Sequence, residues 1–326
     1  EVIFMYDVVA LGELLIDFTP AGISANNCFL FEQNPGGAPA NVLSVLASFG
    51  KSTGMIAKLG KDQFGYFLKE VLDNIKVSTE GIVFDDQANT TLAFVHLESS
   101  GERKFSFYRN PGADMMLKEE EVNLNMIKNA KIFHFGSISM THEPARSATL
   151  KAVKYARENG LVISYDPNYR PLLWKSAEDA IKQMKAGLTY ADILKVSEEE
   201  LQLLTNIDDI TQSTQFLYDE YNISLTVVTL GSKGSYYRRG KLEGYIPAYT
   251  VKAVDTTGAG DGFFGALLYQ ILESGKKLSE LEAAELENML KFSNATGALM
   301  TTKRGAIPAI PTLKDINELM SFENKN

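Results

Sequence analysis

The sequence predicts an α/β protein whose mainly parallel central sheet is flanked by helices and carries a small extra β-sheet. Three observations lead there. Apolar strand-like runs alternate with segments of helical period through most of the chain, the pattern of helices packed on a parallel sheet. Polar and glycine-rich motifs fall where those runs end, and ligands in such sheets bind beyond the carboxyl ends of strands. One stretch, TTLAFVHLESSGERKFSFYR (90 to 109), alternates instead with period two across a Ser-Ser-Gly turn and reads as a hairpin.

YDVVALG (6 to 12) reads as a buried strand, and PANVLSVLASFG (39 to 50) as a helix with Pro39 at its first position and Gly50 past its end. A strand follows near 53 to 59, then a helix with Asp62 as N-cap. Further strands are expected at 131–137, 161–168, 191–197, 225–231 and 245–254. Phe105, Phe107 and Arg109 share one face of the hairpin. With the irregular stretch 13–35 it makes either a small projecting lid or an edge hairpin with a half-buried face. The predicted division is a core of 1–12, 36–88 and 115–326, and a lid of 13–35 and 89–114.

A chain of 326 residues can bury a substantial core as one large domain with elaborations. The net charge of −9 argues against nucleic-acid binding, which needs a Lys/Arg surplus. Cys28 is the only cysteine, so no internal disulfide or thiolate metal site is available, and a reducing cytoplasm fits. Asp7, Glu13 and Asp17 break the N-terminal apolar run before membrane-spanning length. Met5 is the first methionine, and residues 1–4 are read as additional to the folding chain.

VDTTGAGDGFFGALL (254 to 268) carries the sharpest signal. A glycine turn opening a helix offers free amides and a positive dipole end to an anion. Yet Asp261 follows at once, and its charge about 4 Å from a phosphate would cost about 4 kcal/mol at an effective dielectric of ~20. The helix dipole returns only ~0.3–2 kcal/mol, so a divalent cation and a nearby Arg or Lys are expected. Phosphoryl transfer requires both functions, with the amides of Gly258, Ala259 and Gly260 holding phosphate oxygens and Asp261 taking a hydroxyl proton. A tight turn with Asp261 as N-cap explains the residues equally well. A Val at Gly258 is expected to block the anion site and leave the fold largely intact.

NPGGAPANV (34 to 42) sets Gly36 and Gly37 before a helix with Asn41 in its first turn, suited to a polyhydroxylated ligand together with Asp17; a plain loop with a surface Asn is the alternative. Arg170 in SYDPNYR stands at a strand end where it could clamp a phosphate or a sugar hydroxyl. KVSEEE places Glu200 where it could reach Mg²⁺ through water, or act as an ordinary helix-start charge. Thr229, Gly231 and Gly234 suit either backbone contact with a nucleotide or a hairpin turn. His96, His134 and His142 lack metal-ligand spacing. GDGFFG matches G-x-G-x-x-G, but too little chain follows for a dinucleotide domain.

In order, GELLIDF, NPGGAPANV, GKLGKDQFG, FYRNPGADMML, YDPNYRPLLW, KVSEEE and VDTTGAGDGF resemble the ribokinase/PfkB family of carbohydrate kinases, specifically fructokinases, over about residues 7 to 314. The resemblance implies a ribokinase-like fold with a β lid over the sugar site, ATP as phosphoryl donor, Mg²⁺ as cofactor and transfer to the 6-hydroxyl of fructose. A kinase for another sugar or for a sugar acid such as 2-keto-3-deoxygluconate, and a sugar-responsive regulator without turnover, are the alternatives. Asp261 matches the family's base, and Gly258, Ala259 and Gly260 its anion hole. Asp17, Gly36, Gly37, Asn41, Arg109 and Arg170 fall on sugar-side positions. Ser197, Thr229, Gly231, Gly234 and Asn294 fall on the nucleotide side, with Glu200 reaching Mg²⁺ through water. Asp255, Thr257, Lys303 and Gly305 resemble a monovalent-cation site, K⁺ being the candidate ion. Ser197 departs from the wider N-x-x-E pattern, and the S-E-E-E seen here is frequent in fructokinases. Lids in the family often pair between subunits, which makes a homodimer the expected assembly.

Overall fold

A computed structural model describes residues 5–97 and 103–323. Its strands are β1 (Tyr6–Leu11), β2 (Leu15–Ile23), β3 (Phe29–Gly36), β4 (Thr53–Gly60), β5 (Val77–Asp85), β6 (Leu92–Leu97), β7 (Arg103–Tyr108), β8 (Ala130–Gly136), β9 (Val162–Asp166), β10 (Ile193–Ser197), β11 (Leu225–Thr229), β12 (Gly234–Arg239) and β13 (Leu242–Pro247). Nine of these form one sheet in the order β13-β12-β11-β10-β9-β8-β1-β4-β5. It is parallel from β5 to β11, and β12 and β13 add an antiparallel edge. Chain order runs outward in both directions from β1, so a ligand crevice is expected beyond its carboxyl end.

The remaining four strands make a second sheet, β3-β2-β6-β7. β2 pairs antiparallel with β3 and parallel with β6, and β6 pairs antiparallel with β7. The ladder between β6 and β7 opposes Val95 to Phe105 and Ala93 to Phe107. That period-two segment is therefore a hairpin ladder, while its Ser-Ser-Gly turn lies outside the described residues.

Strands β1, β4 and β8 are apolar and almost wholly buried, as helices on both faces require. Several helix starts were written locally. The Asp62 side chain accepts from the Gly65 amide at the start of Gln63–Asn74. Ser197 and Glu200 form a reciprocal capping box opening Glu198–Thr205. In the helix Ala38–Ser48, Pro39 stands second and not first.

Two expectations need correction. The strand expected at 245–254 starts earlier and ends sooner: β13 runs Leu242–Pro247 and stops at Pro247, which has no N–H to continue a ladder, and residues 248–258 run without strand or helix to the turn at Gly258. Gly258 also cannot accept Val without disturbing the fold. Its φ is +73°, and a Cβ there would meet the Ala306 Cβ at 2.6 Å.

The helix Ala259–Ser274 that follows is held unusually close to its neighbours. A side chain at Gly262 would strike Met300 Sδ at 2.0 Å, and one at Gly265 would strike Val45 Cβ at 2.8 Å. Gly262 and Gly265 of GDGFFG thus serve close helix packing, against Ala283–Met300 on one side and Ala38–Ser48 on the other.

Asp62 does more than cap. Its Oδ1 also accepts from Thr90 Oγ1 and its Oδ2 from the Thr90 amide, each at 2.8 Å, fixing the chain where it enters the small sheet. Asp62→Ala should lower unfolding free energy by roughly 1–3 kcal/mol, a cap plus the further bonds to Thr90. Denaturant melts unchanged from the parent would contradict this.

Candidate active site

A cleft of about 1320 Å³ opens between the carboxyl ends of the central strands and the small sheet. That is room for more than one small ligand. Gly258, Gly260 and Asp261 line it from the start of Ala259–Ser274. Glu13, Gly37 and Asn41 line it beside β1, and Arg170, Lys195, Ser197 and Glu200 beside β9 and β10. The small sheet covers it with Asp17, Thr19, Val95, Phe105 and Phe107, the two phenylalanines stacked at 6.0 Å.

Asp261 is not a helix cap. Gly258 occupies that position in a left-handed conformation with no side-chain cap bond, and the Asp261 carboxylate is bonded to Asn41 instead. Its Oδ2 accepts from Asn41 Nδ2 at 2.8 Å, and it is 9% exposed. Burial, then the charge of Asp166, raises its pKa, against the opposing pull of Lys195, Asn41 and Arg170. A raised carboxylate is the more effective proton acceptor.

Gly36 and Gly37 have structural reasons of their own. A Cβ at Gly36 would meet Asp17 Oδ2 at 2.2 Å, and one at Gly37 the Glu13 carbonyl oxygen at 2.3 Å. The missing side chains leave room for the Asp17 carboxylate and for the backbone at the end of β1. Asp17 is pushed up to about 7, by burial foremost, with Arg170 opposing and Asp261 and Asp255 adding to the rise.

The cation that the motif demanded is Lys195. Its ammonium pairs with Asp166 Oδ2 at 2.9 Å, the side chains 8% and 2% exposed. It lies 3.0 Å from where a Cβ on Gly260 would sit. Burial alone would lower its pKa, but Asp166, Glu200 and Asp261 outweigh burial and raise it, so it is charged at neutral pH. Removing one partner of such a pair typically costs ~3–5 kcal/mol. The signal in the sequence was a lysine inside the apolar strand ILKVS: such a residue is rarely buried without a carboxylate.

Glu200 is both structural and exposed to the cleft. Its Oε1 accepts from the Tyr169 amide at 2.6 Å and its Oε2 from the Ser197 amide at 2.8 Å, tying the 166–170 loop to the next helix. A carboxylate offers about four lone-pair sites, which leaves capacity for two water donors. That fits magnesium, which keeps its waters and takes substrate phosphates as ligands; no group of three or more His, Cys, Asp or Glu among the described residues would cage a metal by itself.

Other expected residues lie apart. Arg109 sits just past β7 with its guanidinium bound to Asp114 (Nε to Oδ2, 2.8 Å), Thr141 Oγ1 (3.0 Å) and the Ile138 carbonyl (3.3 Å). It borders a neighbouring hollow with His142 and Arg146, one layer behind the cleft. Thr229, Gly231 and Gly234 form the turn from β11 into β12. Asn294 Nδ2 donates to the carbonyls of Ile246 and Pro247. None of these four lines the cleft, although Ser197, next to Thr229 across the β10–β11 ladder, does. Asp255 Oδ1 accepts from the Thr257 amide and hydroxyl, and its Oδ2 from the Gly305 amide, so that the loop before Gly258 is tied to the one holding Lys303. The Ala259 amide donates to the Thr256 carbonyl at a long 3.3 Å. His134, pushed down to about 3 by burial first, is a core residue bonded to Ser164.

Known proteins resemble this chain over nearly all of its length. The model of the pfkB family carbohydrate kinases matches residues 5–313. Fructokinase-2 of Solanum lycopersicum is 47% identical over 315 residues, 96% of this chain and 95% of that protein. A Xylella fastidiosa fructokinase crystallised with ATP superposes with a TM-score of 0.86 at 33% identity, covering 98% of this chain and 99% of that one. A double mutant of a Vibrio cholerae O395 fructokinase, solved with fructose, ADP and a potassium ion, gives 0.87 at 31% identity over 98% and 100% of the two chains.

Glu13, 2% exposed, is raised to about 7, by burial foremost. Its folded value lies above the ordinary glutamate value of 4.5, so the folded state binds the proton more tightly, and stability falls as pH rises between those two values and levels off above them. Glu13→Gln removes the titration. Between pH 5 and 8 the parent should lose about 2–3 kcal/mol relative to that variant; parallel pH dependence of the two in denaturant melts would contradict the assignment.

Proposed function

This chain belongs to the pfkB family of carbohydrate kinases and is an ATP-dependent sugar kinase; from that premise we propose that its acceptor is D-fructose, phosphorylated on the 6-hydroxyl. The observation that carries the reading is the buried Asp261 carboxylate, excluded from capping and aimed by Asn41 into a cleft roofed by the small sheet.

In this mechanism Asp261 takes the proton of the 6-hydroxyl as its oxygen attacks the γ-phosphorus. The bond from that phosphorus to the bridging oxygen breaks and ADP leaves. The amides of Gly258, Ala259 and Gly260 stabilise the charge spread over the phosphoryl oxygens, the long Ala259 bond to Thr256 being one a phosphoryl oxygen can replace. The Lys195 ammonium beside Gly260 offsets the charge that Asp261 adds there, and Arg170 supplies a second cation. Magnesium, bound with the nucleotide, neutralises phosphate charge, and Glu200 would hold it through water. The nucleotide extends from Ser197 toward the turn formed by Thr229, Gly231 and Gly234, with Asn294 behind it. The linked loops of Asp255, Thr257, Lys303 and Gly305 would hold a monovalent cation, K⁺, next to the anion hole; the rate with K⁺ replaced by a large organic cation tests this.

Residues 13–35 and 89–114 act as a lid that closes on the core of 1–12, 36–88 and 115–326 and excludes water from ATP. Asp17, Gly36, Gly37 and Asn41 meet the sugar, and Arg109 anchors the lid. No helix among the described residues is long and apolar enough to cross a membrane, and we place the enzyme in the cytoplasm. The intact base and its cation favour turnover over a silent regulator.

The lid also carries apolar residues facing solvent: Phe29 is 82% exposed, Tyr108 66% and Ile23 60%. A second copy of the chain would cover them, and a lid-to-lid homodimer is proposed. Phe29→Lys should shift sedimentation from dimer to monomer, and a parent that sediments as a monomer would refute the assembly.

Asp261→Asn should lower kcat by ~10²- to 10⁴-fold with little change in ATP binding. Coupled ADP-release assays with fructose, ribose, 2-keto-3-deoxygluconate and no sugar check both the role and the substrate. An active Asn variant would remove Asp261 as base, and a preference for another acceptor would overturn fructose.

A further inference from the structure

Arg304 has no part in the mechanism above, yet it lies where the small sheet meets the loop that supports the glycine turn. Its Nη2 donates to the Pro20 carbonyl at 2.6 Å, and its Nη1 stands 3.7 Å from Glu32 Oε1. Pro20 and Glu32 belong to β2 and β3, several residues above the foot of the sheet, where Leu15 opposes Gly36. β3 is an edge strand of that sheet. Its Asn34 also reaches the loop: a Cβ on Gly305 would meet Asn34 Oδ1 at 3.0 Å, while Asn34 Nδ2 donates to Thr19 Oγ1 at 2.8 Å. Thr19 lines the cleft.

The two residues after Arg304 contact the glycine turn and the loop ahead of it. The Gly305 amide donates to Asp255 Oδ2 at 3.0 Å, and Asp255 Oδ1 accepts from the Thr257 amide at 2.9 Å. Ala306 is buried, and its Cβ lies 2.6 Å from where a Cβ on Gly258 would sit. Three consecutive residues thus touch the small sheet, the loop ahead of Gly258, and Gly258 itself. Groups packed this closely pass a displacement on, because protein interiors are dense and barely compressible. The pair with Glu32 adds little, since both side chains are half-exposed. The bond to the Pro20 carbonyl is the stronger link, because its donor is charged.

We propose that Arg304 is a positioning residue for phosphoryl transfer: by tying β2 to the loop packed on Gly258, it makes the seating of the anion hole depend on the lid standing over the acceptor. A sugar that draws the lid in then improves the site for the γ-phosphoryl of ATP. ATP improves the sugar site by the same factor, because coupling between two binding events is reciprocal. This role rests on the small sheet being a lid and the Gly258 turn an anion hole.

The test measures ATP affinity by calorimetry, with magnesium, in the presence and absence of saturating 6-deoxyfructose, which lacks the reacting hydroxyl. In the parent, 6-deoxyfructose should tighten ATP binding about tenfold, the scale of one charge-assisted hydrogen bond. In Arg304→Ala that factor should fall to about twofold or less, while ATP affinity without sugar and the melting curve stay close to the parent's. Arg304→Lys, which keeps a charged donor, should recover part of the coupling. A merely structural tether would shift the melting curve and leave the coupling factor alone. If the parent shows the coupling and Arg304→Ala keeps it in full, lid and anion hole stand and the proposal alone fails. If ATP affinity in the parent is indifferent to 6-deoxyfructose, lid and anion hole act independently, and the lid reading fails together with the proposal.

Discussion

The cleft depends on one contact between segments 220 positions apart in the chain, the hydrogen bond from Asn41 Nδ2 to Asp261 Oδ2. It exists because two helices approach more closely than ordinary side chains allow. Gly265 faces Val45 with no Cβ between them, and Gly262 does the same toward Met300. Larger residues there would spread the helices and withdraw Asn41 from the carboxylate. Packing in the core thus sets the aim of the Asp261 carboxylate.

Enclosing a carboxylate at a glycine turn among other acidic groups is an electrostatic liability, and the fold answers it with ordered charge. Asp166, Lys195, Glu200 and Asp261 are all enclosed; Lys195 feels all three carboxylates, and Asp261 feels Asp166 and Lys195. Lys195 lies among three carboxylates, which keeps it charged despite burial. Asp166 binds it most closely, so Asp261 is left bonded to a neutral amide. A base paired directly to the lysine would be held ionised but weakened, because the opposite charge lowers its proton affinity. Seating the lysine on Asp166 and under Gly260 separates the two duties.

Much of this was legible in the chain. The apolar runs that became β1, β4, β8, β9, β10 and β11 were readable because parallel strands buried on both faces have a continuous apolar signature. GAGD was readable because its glycines and its Asp are adjacent, so turn, amides and carboxylate appear in one window. Lys195 and Glu13 were missed for the opposite reason. Their partners lie 29 and 25 residues away, and only the sheet brings them together. The overextended strand at 245–254 came from reading apolar content past Pro247, where the missing N–H ends the ladder. Arg109 shared its period with Phe105 and Phe107, but β7 ends at Tyr108 and the alternation no longer decides where residue 109 points.

The position of Arg109 bears on how the lid can move. The chain enters β6 through Thr90 and Thr91, the first held by Asp62 and the second donating to Asp114 Oδ1 at 2.5 Å. It leaves β7 through Arg109, held by the other oxygen of the same Asp114. Both ends of the hairpin are therefore pinned to one buried carboxylate, in a network whose members have no solvent to replace lost partners. Opening at these points would strand a buried charge, at a cost of several kcal/mol. Opening by twist of the strands beyond them breaks no such bond. Any bending of the small sheet is thereby confined to the strands above a fixed base, which keeps Asp17, at the foot of β2, in register with Asn41 and Asp261.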